Sequence, residues 1–350
     1  MPKISIALYG RNDNYGGKWL EKLGYFIKSI QRSLEGINYE IVLLDYNPPK
    51  DKPLLSECFS NSKYPRIKHV VFSNEDHLEF IESHLKAKAK LTYKNKSISL
   101  KKIYKIDFII AFAMNLSIKY SSGDYVLSTG TDNIFPIQFG NFIKDLEPNI
   151  LYRTWMYRIY NDITKVRQIP LNEFDKISTF SKKRKEIIKD GVVFKFLPKK
   201  SGSILSSAGN FLLMDKKSWE EVGGYIPTIH PRLRMGDCQV IFNSLIMGKK
   251  VKATNFPIFN IHAPIESKYD KFKNRSNYIV KKNNIKYDHY QIVGKNKLSG
   301  DPEWRKFINW AGISYLESNK KYFIRLNYEK NKKIMCLFRS ILKRKFLLNK

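Results

Sequence analysis

Cysteine is scarce in this chain of 350 residues: Cys58, Cys238 and Cys336 stand far apart, with no CxxC pair and an odd thiol in any pairing scheme. That pattern excludes a disulfide-framed secreted scaffold and fits a reducing compartment. Long apolar runs are missing too. The longest, Ile106 to Ile118, is interrupted by Asp107 and Asn115 and falls short of the roughly 20 residues that a spanning helix needs. The apolar run in Pro2 to Tyr9 is too short for a secretory signal. The expectation is a cytoplasmic protein without a transmembrane helix. Acidic residues are the third shortage, with 32 Asp and Glu against 63 Lys and Arg and a formal net charge of +31. Such an excess favours polyanions, whether nucleic acid, an anionic membrane or a phosphorylated substrate. Coding bias toward Lys, Asn and Ile produces the same excess, so charge alone does not choose.

What is present belongs to a folded protein, since 43% hydrophobic and 14% aromatic residues exclude a disordered chain. Ile4 to Tyr9 reads as a buried strand, followed by a polar loop, Gly10 to Gly17. Leu20, Leu23, Phe26, Ile27, Ile30 and Leu34 recur at helical spacing until Gly36. Tyr39 to Asp45 is a second buried strand, Arg66 to Phe72 a third, Lys105 to Tyr120 a buried helix, and Tyr125 to Ser128 a strand that runs into Thr131, Asp132 and Asn133. This order opens a parallel α/β sheet, and ligands of such sheets sit outside the carboxyl ends of the strands. The loop after Tyr9, Asp45 and Asp132 would border one crevice.

Tyr152 to Tyr160 alternates aromatic and basic residues, as a strand would. Residues 171–203 are charged and weakly periodic and read as a long mobile excursion. Ser218 with Glu221 has the pattern of a capping box before a short helix that ends at Gly223-Gly224. A further helix is expected from Cys238 to Met247. After His262 the composition shifts to Lys, Asn, Tyr and Ile. The final stretch from Ile334 to Leu348 is basic and amphipathic, suited either to an anionic membrane surface or to packing on a core.

The stretch MNLSIKYSSGDYVLSTGTDN, followed by GNFLLMDKKSWEEVGGY and MGDCQVIFNSLIMGKKV, resembles the GT-A glycosyltransferases, above all family 2. The resemblance covers roughly residues 3–263. It implies an α/β fold of GT-A type, Rossmann-like, with a mostly parallel central sheet flanked by helices. Residues 1–265 would form the transferase domain, with 171–203 on the acceptor side. Residues 266–350 would form a basic, mainly helical C-terminal extension.

The implied activity is transfer of a sugar from a nucleotide diphosphate, UDP-linked by resemblance, to a hydroxyl of a glycan or lipid-linked acceptor. Inversion, cell-surface glycan synthesis and a peripheral place at the inner face of a membrane belong to the same expectation. Asp237 resembles the catalytic base, although an aspartate there would also cap the helix from Cys238. Asp132 resembles the metal-binding Asp of the Asp-x-Asp motif, whose first Asp is here Gly130. His262 resembles a late metal ligand, with His230 a rival, and the metal would be Mn²⁺ or Mg²⁺. Tyr9, Arg11, Asn12, Asp13, Asp45 and Asn115 stand where the family holds the nucleotide. Asn133, Arg232 and Arg234 are candidates for phosphate or acceptor. Three alternatives stay open: a metal-independent enzyme that uses the arginines, a degenerate transferase without turnover, and a basic nucleic-acid binder, for which no recognised motif is found.

Overall fold

Continuous apolar runs are dictated wherever a sheet is covered on both faces, and the first two strands obey this. Ile4–Gly10 (β1) and Tyr39–Tyr46 (β2) are buried almost throughout and pair in parallel. The computed structural model describes residues 2–14, 17–80, 110–179, 186–196, 211–225, 240–241, 244 and 247–261. Trp19–Ser33 (α1) joins these strands and buries Leu23, Phe26, Ile27 and Ile30 at the expected spacing. Gly10 is required where β1 meets α1, because a Cβ there would lie 2.1 Å from the Trp19 ring.

Leu55–Cys58 (α2), Ile67–Phe72 (β3) and Asn74–Phe80 (α3) follow, with β3 parallel to β2. Ile110–Lys119 (α4) leads to Tyr125–Ser128 (β4), which returns to the other side of β1, again in parallel. Beyond it come Asn133–Ile134 (β5), Gln138–Ile143 (α5), Ile150–Ile159 (β6), Ile163–Val166 (α6) and Leu171–Thr179 (α7). Glu186–Lys189 (β7), Val192–Phe196 (β8), Leu212–Asp215 (β9), Lys216–Val222 (α8) and Lys250–Ile261 (β10) complete the described elements.

The ten strands form one sheet in the order β3-β2-β1-β4-β9-β6-β10-β5, with β8 on β6 and β7 on β8. The expected mostly parallel sheet is in fact mixed: four of its nine pairings are parallel. The reversal arises at β9, which lies between β4 and β6 and runs antiparallel to both. One core packs α1 and Phe139 and Ile143 of α5 against Ile6, Leu8, Ile41 and Leu43. A second packs Met114 and Ile118 of α4 and Trp219 and Val222 of α8 against Ala7, Val126 and Met214.

Two other expectations change. The helix after β9 is capped by Asp215, whose carboxylate accepts from Ser218 N at 2.8 Å, rather than by Ser218; Gly223 ends it at φ 77°. Within residues 171–203, the expected mobile excursion contains packed structure. Phe174 on α7 stacks edge-on to Phe259 at 5.1 Å, and β7 and β8 form a hairpin. Its turn, Asp190-Gly191, has both residues at positive φ, 49° and 71°, the backbone that matches hairpin twist. The extension 266–350 and most of the helix expected at 238–247 lie outside the described residues. Among the described residues no helix is long and apolar enough to cross a membrane.

Candidate functional site

The strand order reverses between β1 and β4: the chain proceeds outward from β1 to β2 and β3, then returns to the opposite side. This is the topological switch point at which open α/β sheets leave a crevice. Two loops border it, residues 11–14 with 17–18 after β1 and Thr129 to Asp132 after β4.

In the first loop Arg11 Nε pairs with Asp13 Oδ2 at 3.0 Å, and Asp13 N donates to Arg11 O at 2.9 Å. Asn12 is 9% exposed, and its amide donates to Pro53 O at 3.1 Å, which ties the loop to the segment after β2. Asp45 lies beside Gly10 in the β1–β2 register. Only 2% exposed, it accepts from Leu55 N at 2.8 Å through Oδ2. Its other oxygen, Oδ1, is sealed from solvent and has no hydrogen-bond partner among the described residues. Burial pushes the Asp45 carboxyl up to about 6, against the pull of the Leu55 N–H and the Arg11 guanidinium. A buried carboxylate oxygen without a donor is costly, and the arrangement leaves room in its bonding for one more N–H.

The second loop is held by Asn133. Its amide donates to Thr129 Oγ1 at 2.9 Å and to Gly130 O at 3.2 Å, and its carbonyl accepts from Asn260 Nδ2 at 3.0 Å. Asn133 therefore fixes the turn through its side chain. Asp132 O accepts from Ile261 N at 2.8 Å, so the Asp132 backbone is anchored to the residue that precedes His262. Lys22 on α1 is 7% exposed; burial lowers its pKa and the Asp132 and Asp162 charges raise it, which places an ammonium in the field of Asp132.

Asn115, the residue expected at the nucleotide, lies on α4. It is fully buried, and its amide grips the backbone of Tyr225, donating to Tyr225 O at 2.6 Å and accepting from Tyr225 N at 2.7 Å. Tyr225 in turn donates to Ser128 Oγ at 3.0 Å. Gly224 makes the grip possible: its φ is +64°, and a Cβ would come within 2.4 Å of Asn115 Oδ1. Segments 110 residues apart are thus locked together beneath β4. The short Gly-Gly-Tyr motif was the signal for this clamp, but nothing local ties it to Asn115.

A divalent cation needs several oxygen ligands. Among the described residues no group of three or more His, Cys, Asp or Glu side chains could hold one. Asp132 is a single carboxylate, Gly130 supplies none, and the Asn133 amide oxygen already accepts from Asn260. The described donor set does not fit a divalent ion by itself. His262, His230, Arg232, Arg234 and Asp237 lie outside the described residues. A cavity of about 300 Å³ lies on the flank of α1 among Glu21, Tyr25, Lys28, Tyr64 and Arg167.

No protein-family model and no curated protein matches the chain. Among solved structures, the mannosyltransferase PcManGT from Pyrobaculum calidifontis, in complex with GDP-Man and Mn²⁺, is similar at 12% sequence identity and a TM-score of 0.45. The match covers 99% of this chain and 83% of that one.

Proposed function

We propose that the chain is a glycosyltransferase that binds a nucleotide-diphosphate sugar in the switch-point crevice and transfers the sugar to a hydroxyl acceptor. The observation that carries this reading is Asp45. A buried carboxylate with one oxygen held and one unpartnered, beside Arg11 and at the end of a parallel strand, suits an N–H of a nucleobase such as uracil. Tyr9, Arg11 and Asp13 complete the nucleoside side. The Thr129–Asp132 loop supplies the diphosphate side.

The chemistry proposed is direct displacement with inversion. The acceptor hydroxyl oxygen bonds to the anomeric carbon as the bond from that carbon to the phosphate oxygen breaks. Asp237 takes the hydroxyl proton, and the nucleoside diphosphate leaves with the bonding pair. Charge accumulates on the departing phosphate and must be offset. The single carboxylate of the Asp132 loop favours a metal-independent variant, with Arg232 and Arg234 as the compensating cations. The donor as a UDP sugar, an acceptor in surface glycan synthesis and a peripheral membrane position through the basic tail extend the same proposal.

The test is a thermal-shift panel of UDP, GDP, CMP and their sugars, each with Mn²⁺ and with EDTA, because a ligand specific to the native state raises its melting temperature. Stabilisation by one nucleotide in both conditions is expected. Stabilisation only with Mn²⁺ would restore a metal site that includes Asp132 and His262, and no response to any nucleotide would sink the transferase reading.

A further inference from the structure

The alternating aromatic and basic stretch of β6 has no part in the reaction above, yet the sheet register links one of its residues to the strand that follows Asp132. Register places Asn133 on β5 opposite Asn260 on β10, Asn260 beside Arg158 on β6, and Arg158 opposite Lys195 on β8. Laterally paired residues in a sheet share a face, so these four form one polar row. The row starts immediately after Asp132 and runs along the same carboxyl edge, with Arg158 about 10 Å from Asn133 at two strand spacings. The Asn133–Asn260 half of the row is closed by its own hydrogen bond. The Arg158 half is not: its Nε is sealed from solvent and has no hydrogen-bond partner among the described residues. No described carboxylate pairs with it, and Glu186, the nearest acid in the register, stands opposite Lys195 on the far side.

We propose that Arg158 is an oxyanion-binding residue of the crevice, reading a phosphate or carboxylate group on the molecule bound beside Asp132. A guanidinium presents parallel N–H donors that match two oxygens of such a group, and one whose Nε is already out of water and unpartnered among the described residues has lost that hydration before the contact forms. Lys195 adds positive charge behind it. The inference rests on the transferase reading for the identity of the molecule, which makes the oxyanion either the donor's diphosphate or an anionic group of the acceptor.

Calorimetric titration of the full chain with pyrophosphate and, separately, with glucuronate at ~0.15 M salt, where exposed charges are screened, distinguishes the two. Arg158→Gln is expected to weaken pyrophosphate binding tenfold or more, about 1.4 kcal/mol. Arg158→Lys, which keeps the charge but not the fork and guards against a misfolded Gln variant, should fall between. Lys195→Gln should stay within about twofold, because an exposed charge contributes little at that salt. If glucuronate rather than pyrophosphate depends on Arg158, the oxyanion belongs to the acceptor and the inference stands. Equal binding of both probes by the wild type and both Arg158 variants, or no binding by the wild type, overturns it. Failure of every nucleotide in the thermal-shift panel with Arg158-dependent oxyanion binding intact would sink the transferase reading alone.

Discussion

The two flanks of β1 hold their polar residues in opposite ways. On the β4 flank, Asn115, Tyr225 and Ser128 satisfy one another completely and the site is closed. On the β2 flank, Asp45 keeps one carboxylate oxygen with no partner among the described residues, and Arg11 opposes the rise in pKa that burial imposes on it. Both flanks carry residues that the family resemblance singles out, yet only the second has bonding capacity left over. Residues that complete each other specify the fold, whereas residues left incomplete are those a ligand can complete.

Breaking the closed flank should have the largest effect. Asn115→Ala strands both Tyr225 backbone groups in a fully buried place, and two such losses cost about 2–5 kcal/mol together; urea unfolding should show the midpoint fall with the slope unchanged. Gly224→Ala should act in the same direction, since φ +64° and the 2.4 Å approach to Asn115 both oppose a side chain.

The open flank should respond with the opposite sign. In the folded chain burial pushes the Asp45 carboxyl up to about 6 from its ordinary 3.8. The native state therefore holds the extra proton between these values, and stability falls as pH rises through that window. The loss is of order 2–3 kcal/mol at neutral pH. Asp45→Asn should abolish this slope and raise the unfolding midpoint at pH 7, while weakening nucleotide binding by about tenfold or more. Stability profiles of the two proteins from pH 4 to 7, beside a nucleotide titration, check both halves; a destabilised Asn variant would mean that the open oxygen is not open.

Lys216 makes a smaller and more local contrast. Its ammonium donates to Ile118 O, Lys119 O and Ser121 O at 2.6, 3.2 and 3.0 Å, closing the end of α4. Burial lowers its pKa from 10.5 to about 8, so the unfolded chain binds the proton more tightly and stability should rise with pH between these values. Lys216→Met should flatten that rise and cost about 1–2 kcal/mol at pH 7 through the lost carbonyl contacts. The least effect is expected at Arg167, whose pair with Glu21 is half exposed; Arg167→Ala should change stability by under about 1 kcal/mol.

The same contrast explains what could be read from the chain beforehand. β1, β2 and β4 are legible because an uninterrupted apolar run needs no knowledge of its neighbours, and the crevice follows from their ends. The positions of Asp45 and Asp132, at the end of β2 and just after β4, were legible for that reason. The hold of Asn115 on Tyr225 was not, because it joins residues 110 positions apart. The mixed sheet was hidden likewise, since nothing in Leu212 to Asp215 states that it will run antiparallel between β4 and β6. The hairpin at Asp190-Gly191 was different, because the turn dipeptide was present and the charges around it masked a signal that local chemistry had already supplied.

The insertion of β9 between β4 and β6 also sets a timetable. About 84 residues separate Ser128 from its partner Leu212, so at ~5–20 residues per second a ribosome adds the missing strand ~4–17 s after β4. For that interval Tyr125 to Ser128, a strand buried throughout in the finished sheet, presents a bare hydrogen-bonding edge. A nascent chain of this design depends during its own synthesis on whatever shields that edge.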